Sequence, residues 1–225
     1  LLCKKTNIKL HIINTSHYFW SNIFLPFINK LKNGFTPNPD IECNTKIKFN
    51  KLLDETKNKL NFDTLATGHY AKSIQLEKKY SLMTSFNLEK DQTYFLSNIK
   101  RSILKFILFP ISNYIKKNIK QILKLYNFIN YNKKNSTGIC FIENNNFKLF
   151  LKQYIPIKNG IIYDNNKNII GHHNGVAFYT IGEKLKYKNN TYKIYKKNNV
   201  QNILYATKDN IQIAVITINK IKKYV

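Results

Sequence analysis

The stretch GFTPNPDIECN, residues 34–44, decides how the chain is read. Pro37 and Pro39 each fix their own φ and push the preceding residue towards an extended conformation. Asn38 is held between two stiff positions, so the loop presents Asn38, Asp40 and Cys43 in a fixed arrangement. The run that follows, 44–60, puts Leu52, Leu53, Thr56 and Leu60 on one face and predicts a helix. Cys43 then sits near a helix N-terminus, where the positive end of the dipole favours a thiolate. The same residues also fit a proline-rich turn that carries a buried cysteine.

Upstream, residues 18–33 carry Trp20, Ile23, Phe24, Phe27 and Leu31 at helical spacing, with Gly34 as the C-cap. Pro26 either kinks this helix or starts a second one. Residues 7–15, NIKLHIINT, alternate apolar and polar and predict a strand. Cys3, His11 and His17 have no partner pattern and read as structural or surface residues. Downstream, FDTLAT (62–67) predicts a buried strand running into Gly68 and His69. A strand ending in glycine at the carboxyl edge of an open α/β sheet is a ligand-binding position. KKYSLMTS (78–85) predicts another strand, and EKDQTYFL (89–96) places Lys90, Asp91 and Gln92 before an aromatic run, as a helix start also would. Residues 112–129 predict a helix with Ile115, Ile119, Ile122, Tyr126 and Ile129 on one face. Lys116, Lys117, Lys120 and Lys124 lie mostly on the other, where they are solvated or meet phosphate.

A second cysteine, Cys140, lies in STGICFI (136–142). Its distance from Cys43 fits neither a C-x-x-C pair nor a zinc site. The two thiols are compatible with a nucleophile and a partner that face one cleft. After Phe141 a short helix at 144–154 gives way to turns and short strands at 161–164, 168–175, 178–182, 192–196, 202–206 and 211–218, a small β domain. His172 and His173 lack further ligand-type neighbours, so no metal site is expected.

With 225 residues, 43% of them hydrophobic and 14% aromatic, the chain can bury a real core in one large or two small domains. Thirty-seven Lys and Arg against 12 Asp and Glu give a net charge of +25, which calls for a polyanion such as RNA. Arg101 is the only arginine, however, and Lys, Asn and Ile crowd the whole chain, so compositional bias accounts for part of the excess. Three cysteines without a signal peptide point to the cytoplasm, and no membrane is implied: SILKFILFPI (102–111) is too short to span one and contains Lys105. The chain starts at Leu1 rather than Met and is expected to be a fragment.

TPNPDIECN, ATGHY (66–70), EKDQTYFL and STGICFI occur in the order and spacing of the tRNA-specific 2-thiouridylases, of the ATP-pyrophosphatase (PP-loop) superfamily, and the chain resembles them from about residue 1 to 206. The resemblance implies replacement of the C2 oxygen of the wobble uridine by sulfur. ATP, with Mg2+, adenylates the oxygen; a persulfide on Cys140 supplies sulfur; and Cys43 closes a disulfide as sulfur is delivered. Asp40 would act as general acid/base beside the target, with Asn38 and Pro39 against the base. Gly68 would touch ATP, and His69, Lys90, Asp91 and Gln92 the tRNA. The base must leave the anticodon stack to reach this site. The implied partners are the tRNA anticodon arm and a persulfide donor or carrier protein, with the enzyme a monomer.

The fold expected is α/β. It comprises a partial PP-loop catalytic domain with a helical extension (1–150), a small β domain (151–206) and the start of a C-terminal β-barrel (207–225). Three departures stand out. The family's Ser-Gly-Gly-Val-Asp-Ser phosphate loop is absent from these residues and is expected upstream of Leu1, so the chain alone should bind ATP poorly. Asn135 stands where the family has Asp before Ser-Thr-Gly-Ile-Cys. The usual Gly-Gln-Arg-Lys-Gly reads Gly182-Glu183-Lys184-Leu185-Lys186, and lysine loses the bidentate phosphate grip of arginine. A non-catalytic RNA-binding remnant of the family is therefore the alternative. A third option, adenylation of a small acid, is disfavoured by the cysteine pair.

Overall fold

Pro26 has no N–H to give the carbonyl of Asn22, and the chain around it is arranged accordingly. In the computed structural model, which describes residues 2–132 and 147–208, a short helix α1 (Leu2–Thr6) is followed by α2 (Ser16–Phe19). This passes through a π-helical turn, Trp20–Phe24, into α3 (Leu25–Lys32). The wide turn lies just before the proline, and Lys46 Nζ donates to the Asn22 carbonyl at 3.4 Å in place of the missing amide. Gly34, at φ 80, ends α3. Its N–H donates to Leu31 O (2.9 Å) and that of Phe35 to Lys30 O (3.0 Å), a Schellman cap.

The next helix begins five residues before the expected Asn44. Asn38 is extended (φ −105, ψ 101), its Oδ1 accepts from the Asp40 amide, and Pro39 occupies the first turn of α4 (Pro39–Glu42). Proline suits that position because its missing N–H would have no helical partner. A π-helical segment, Cys43–Lys51, leads into α5 (Leu52–Leu60). Phe49 leaves helical geometry (φ −107, ψ 15) within it, and Asn61, left-handed at φ 47, ends α5.

The described residues fall into two compact units. The first takes the chain up to Phe27 and again from Asn38 to 132; the second takes Ile28–Pro37 and 147–208. In the first, β1 (Leu65–Ala66) pairs in parallel with β4 (Ile107–Leu108), and β2 (Ala71–Leu76) forms a hairpin with β3 (Lys79–Thr84). α6 (Arg101–Leu104) precedes β4, and α7 (Lys116–Leu125) follows it. Phe49, Ala71, Leu96, Leu104, Ile107 and Phe109 form the core.

Several expectations are corrected here. Residues 7–15 form no strand: no described strand pairs with them, and Ile8, Leu10 and Ile12 stand exposed. The strand before Gly68 is only two residues long and not buried. The strand 71–76 was not expected, because its hairpin turns through Glu77 at φ 54 rather than through the usual Gly or Asn.

The second unit consists of α8 (Phe147–Lys152) and a five-stranded sheet ordered β6-β5-β9-β8-β7. Its strands are β5 (Gly160–Tyr163), β6 (Ile169–His173), β7 (Lys184–Tyr187), β8 (Asn190–Asn198) and β9 (Ile203–Thr207). β5 and β9 are parallel, and the other pairs are antiparallel. Ile162, Ile170, Tyr192, Ile194, Leu204 and Ala206 alternate inward to make its core. Residues 178–182 are not a strand. Val176, Ala177 and Phe178 are all buried in a 3₁₀ turn, which a period of two cannot provide. The expected strand at 211–218 and the barrel start at 207–225 lie outside the described residues beyond 208.

One polar knot pins the sheet. His173, 2% exposed, accepts the Gly175 N–H at Nδ1 (3.0 Å), so its proton sits on Nε2 and is donated to Asn202 O (3.1 Å). The Asn202 amide in turn donates to the carbonyls of Lys158 and Asn159, both at 2.9 Å. A Cβ at Gly160 would lie 2.2 Å from Asn202 O and 2.6 Å from the His173 ring, so the knot requires glycine there. Burial holds the His173 pKa below its usual 6.5. Unfolded His173 takes up a proton below about 6.5 and the folded ring resists it, so its stabilisation is complete above that pH and lost as pH falls below it. Amide exchange in β5–β9 is expected to accelerate as pH drops from 7 to 5, after correction for intrinsic rates, and His173→Gln should flatten that dependence. A dependence equally steep in His173→Gln would contradict the assignment.

Candidate functional site

The first unit draws three stretches together through three named contacts. Phe49, on the helical segment that begins at Cys43, meets the His69 ring at 5.6 Å between centroids. Asn44, next to Cys43, donates from Nδ2 to Phe95 O at 3.0 Å. Tyr70 and Gln92 are doubly joined: the Gln92 N–H donates to Tyr70 O (2.8 Å), and the Tyr70 N–H donates to Gln92 Oε1 (2.9 Å). The loop–helix at 38–44, the turn at 67–70 and the loop at 90–95 are thereby held to one another.

Each element has a local reason. Asn38 caps α4 through the Asp40 amide at 3.0 Å, which fixes the backbone that carries Asp40. Cys43 lies one helical turn further on and is buried. Gly68 is exposed, and a Cβ there would meet nothing within 4 Å. Packing within the chain does not require glycine at 68, and the open flank suits close approach by a ligand.

His69 Nδ1 lies 2.7 Å from Thr67 Oγ1. Burial first, and the Lys48 charge second, push its pKa down to about 4. The ring is therefore neutral at pH 7: it can exchange hydrogen bonds with a base or ribose but offers no charge to phosphate. Asp91 is committed to its own backbone. Oδ2 accepts from the Ser85 amide (2.8 Å), and Oδ1 accepts from the Thr93 amide (3.1 Å) and the Thr93 hydroxyl. Those bonds hold its carboxyl below the usual range against the opposing effect of burial. Of the three adjacent polar residues, Asp91 and Gln92 shape the loop, and Lys90 is left exposed at its surface.

Thr67, Tyr70, Asn44 and Phe49 fix this arrangement and were not singled out from the sequence. Asn44 and Phe49 lie in a segment whose π geometry breaks the 3.6-residue period that sequence patterns rely on. Thr67 and Tyr70 flank the glycine–histidine pair, which was the signal available. Cys140 lies outside the described residues, as does Asn135. Among the described residues no group of three or more His, Cys, Asp or Glu side chains is placed to hold a metal ion. No helix there is long and apolar enough to cross a membrane.

Known proteins are similar to this chain in sequence. Residues 1–144 match a family described as the tRNA methyl transferase HUP domain, and residues 148–208 match the tRNA methyl transferase PRC-barrel domain. The chain is 43% identical over 183 residues to the tRNA-specific 2-thiouridylase MnmA of Blochmanniella floridana, which covers 81% of the chain and 50% of that protein. It is also 43% identical over 209 residues to the protein of that name from Mycoplasma capricolum subsp. capricolum, covering 90% and 56% respectively. The chain thus spans about half the length of the curated relatives it matches.

The lowered His69 pKa sets a measurable expectation. A folded value of about 4 against an ordinary 6.5 means that stability is full above 6.5 and is lost as pH falls from there towards 4. In an NMR titration the His69 ring signals should stay constant from pH 8 to roughly 5.5 and move only near 4. A midpoint near 6.5 would contradict the buried, neutral ring.

Proposed function

This chain belongs to the tRNA methyl transferase HUP-domain family, and from that premise we propose that it serves tRNA 2-thiolation, converting the wobble uridine to 2-thiouridine. The observation that carries the reading is the gathering of the Cys43 helix, the His69 turn and the Gln92 loop by the Phe49, Asn44 and Tyr70 contacts. A thiol on a rigid, capped helix beside residues able to read a base suits sulfur transfer. The relatives described above carry the name tRNA-specific 2-thiouridylase.

In this reading the flipped uridine is received by Asn38, Pro39 and Asp40, with His69, Lys90 and the Asp91–Gln92 loop along the anticodon arm. Asp40 exchanges a proton with the base. ATP, with Mg2+, would supply adenylation of the C2 oxygen, with pyrophosphate released as the adenylate forms and AMP as it departs, and Gly68, with its open flank, would lie against it. A persulfide on Cys140, loaded by a donor protein, gives its outer sulfur to C2. Cys43 forms a disulfide with the remaining Cys140 sulfur as that bond breaks. Residues 1–150 are then part of the catalytic domain, 151–206 a small β domain, and 207–225 the start of a further barrel. The protein works as a monomer in the cytoplasm.

RNA binding tests the recognition step. At near-physiological salt, the protein is expected to bind its tRNA anticodon arm more tightly than a scrambled RNA of equal length. Asp40→Ala should erase most of that gap and leave the salt slope nearly unchanged, because base contacts carry selectivity that phosphate contacts lack. Replacing Lys116, Lys117 and Lys120 by Ala should weaken both RNAs about equally. An intact preference in Asp40→Ala would remove that residue from recognition.

A further inference from the structure

His69 keeps one ring nitrogen for a partner, and Thr67 decides what that nitrogen offers. Nδ1 lies 2.7 Å from Thr67 Oγ1. Two arrangements fit this contact: the hydroxyl donates to a bare Nδ1, or a protonated Nδ1 donates to the hydroxyl. The distance is ordinary for an O–H donor and short for an N–H donor. Among the described residues the Thr67 hydroxyl has no other hydrogen-bond partner, so the imidazole lone pair is the acceptor open to its proton. Nδ1 therefore accepts, and the ring proton sits on Nε2.

Both groups are anchored by their backbones. The Thr67 N–H donates to Leu108 O at 3.0 Å, which carries the β1–β4 pairing one residue further. The His69 carbonyl accepts the Ala71 N–H, also at 3.0 Å. Phe49 lies against the imidazole at 5.6 Å between ring centroids. Among the described residues nothing pairs with Nε2, and the side chain is half-buried, so this nitrogen is the edge left open. His173 has the same tautomer and the opposite outcome, because its Nε2–H is spent on Asn202 O. At His69 the equivalent donor remains for a ligand. Burial and the Lys48 charge keep the ring neutral, so it donates without attracting phosphate.

We propose that Thr67 is a positioning residue that fixes His69 as the Nε2–H tautomer, so that the ring presents a neutral donor to the C4 carbonyl of the bound uridine. That the acceptor belongs to a uridine rests on the function proposed above; the tautomer does not. Uracil carries keto oxygens at C2 and C4, whereas cytosine carries an amino group at C4. A donor on the C4 oxygen stays bonded while C2 reacts. Against cytosine the same N–H meets another donor, and both are left unpaired.

Nitrogen NMR of the full 225-residue chain with labelled histidine rings tests the tautomer directly, because a bare ring nitrogen resonates far downfield of a protonated one. At pH 7 wild type is expected to show His69 Nδ1 bare and Nε2 protonated. Thr67→Val keeps the shape and removes the hydroxyl, and it should move both signals towards the average of two exchanging tautomers. Thr67→Ser should restore them, and Thr67→Ala replaces the valine variant if that one does not fold. A proton on Nδ1 in wild type, or unchanged ring signals in a folded Val or Ala variant, would overturn the proposal. Fluorescence anisotropy reads the carbonyl contact, with anticodon-arm RNA carrying uridine or cytidine at the wobble position. Wild type and Thr67→Ser are expected to favour uridine by about tenfold, and Thr67→Val by less than about threefold. Equal binding of both arms by wild type, or a full uridine preference in Thr67→Val, would overturn the carbonyl contact. Preference for the arm over scrambled RNA is measured separately, so either reading can fail alone.

Discussion

The Asp40 amide donates to Asn38 Oδ1 at 3.0 Å. Pro39 between them has no N–H to satisfy, so the helix that carries Asp40 and Cys43 has one starting point. A cap of this kind contributes about 1 kcal/mol. Its larger effect is geometric. The helix continues into the π-helical segment, and the positions of Cys43 and Asn44 follow from where it begins, with Phe49 at the kink beyond them. Had it started at Asn44, Cys43 would lie in a loop rather than on the helix. The cost falls at Asn44, whose Oδ1 is buried without a partner among the described residues while its Nδ2 is bonded to Phe95 O. A carbonyl cannot donate to a carbonyl, so flipping the amide offers no relief.

Electrostatics works differently in the two units. In the first, two polar groups at the candidate site are neutral or already bonded. His69 is held neutral by burial, and Asp91 is consumed by Ser85 and Thr93. Away from that site Glu55 is bracketed by Lys51 and Lys59, which depress its pKa to about 2. Most lysines have no such carboxylate to meet, because the chain holds only 12 Asp and Glu. In the second unit the strands β5 to β9 carry no Asp or Glu, and the carboxylate of Glu183, just before β7, pairs with Lys148.

The proline-bracketed loop was legible because Pro, Asn and Gly impose local geometry whatever lies around them. Gly34 closes α3 as its sequence position implied, and α7 forms the middle, Lys116–Leu125, of the helix expected over 112–129. The failures have a common cause in tertiary context. Residues 7–15 alternate like a strand, but alternation describes a face and does not provide a neighbour. The hairpin at 71–84 turns on Glu77, a residue without turn preference, so nothing local announced it. Of the candidate site, the chemically distinctive residues were visible. Their supports were not, because Asn44, Thr67 and Tyr70 act through hydrogen bonds between segments remote in sequence or through single short-range bonds without a pattern.

The central claim is that the Cys43 helix belongs to a sulfur-transfer site for tRNA. The most direct measurement is mass-spectrometric quantification of 2-thiouridine in tRNA from cells that lack their own thiouridylase and express the whole protein. The account predicts that wild type restores 2-thiouridine and that Cys43→Ser abolishes it while tRNA binding survives. Full 2-thiouridine from Cys43→Ser would contradict the account. So would its absence from wild type in cells where the protein is folded and binds tRNA, which would leave an RNA-binding protein without the chemistry.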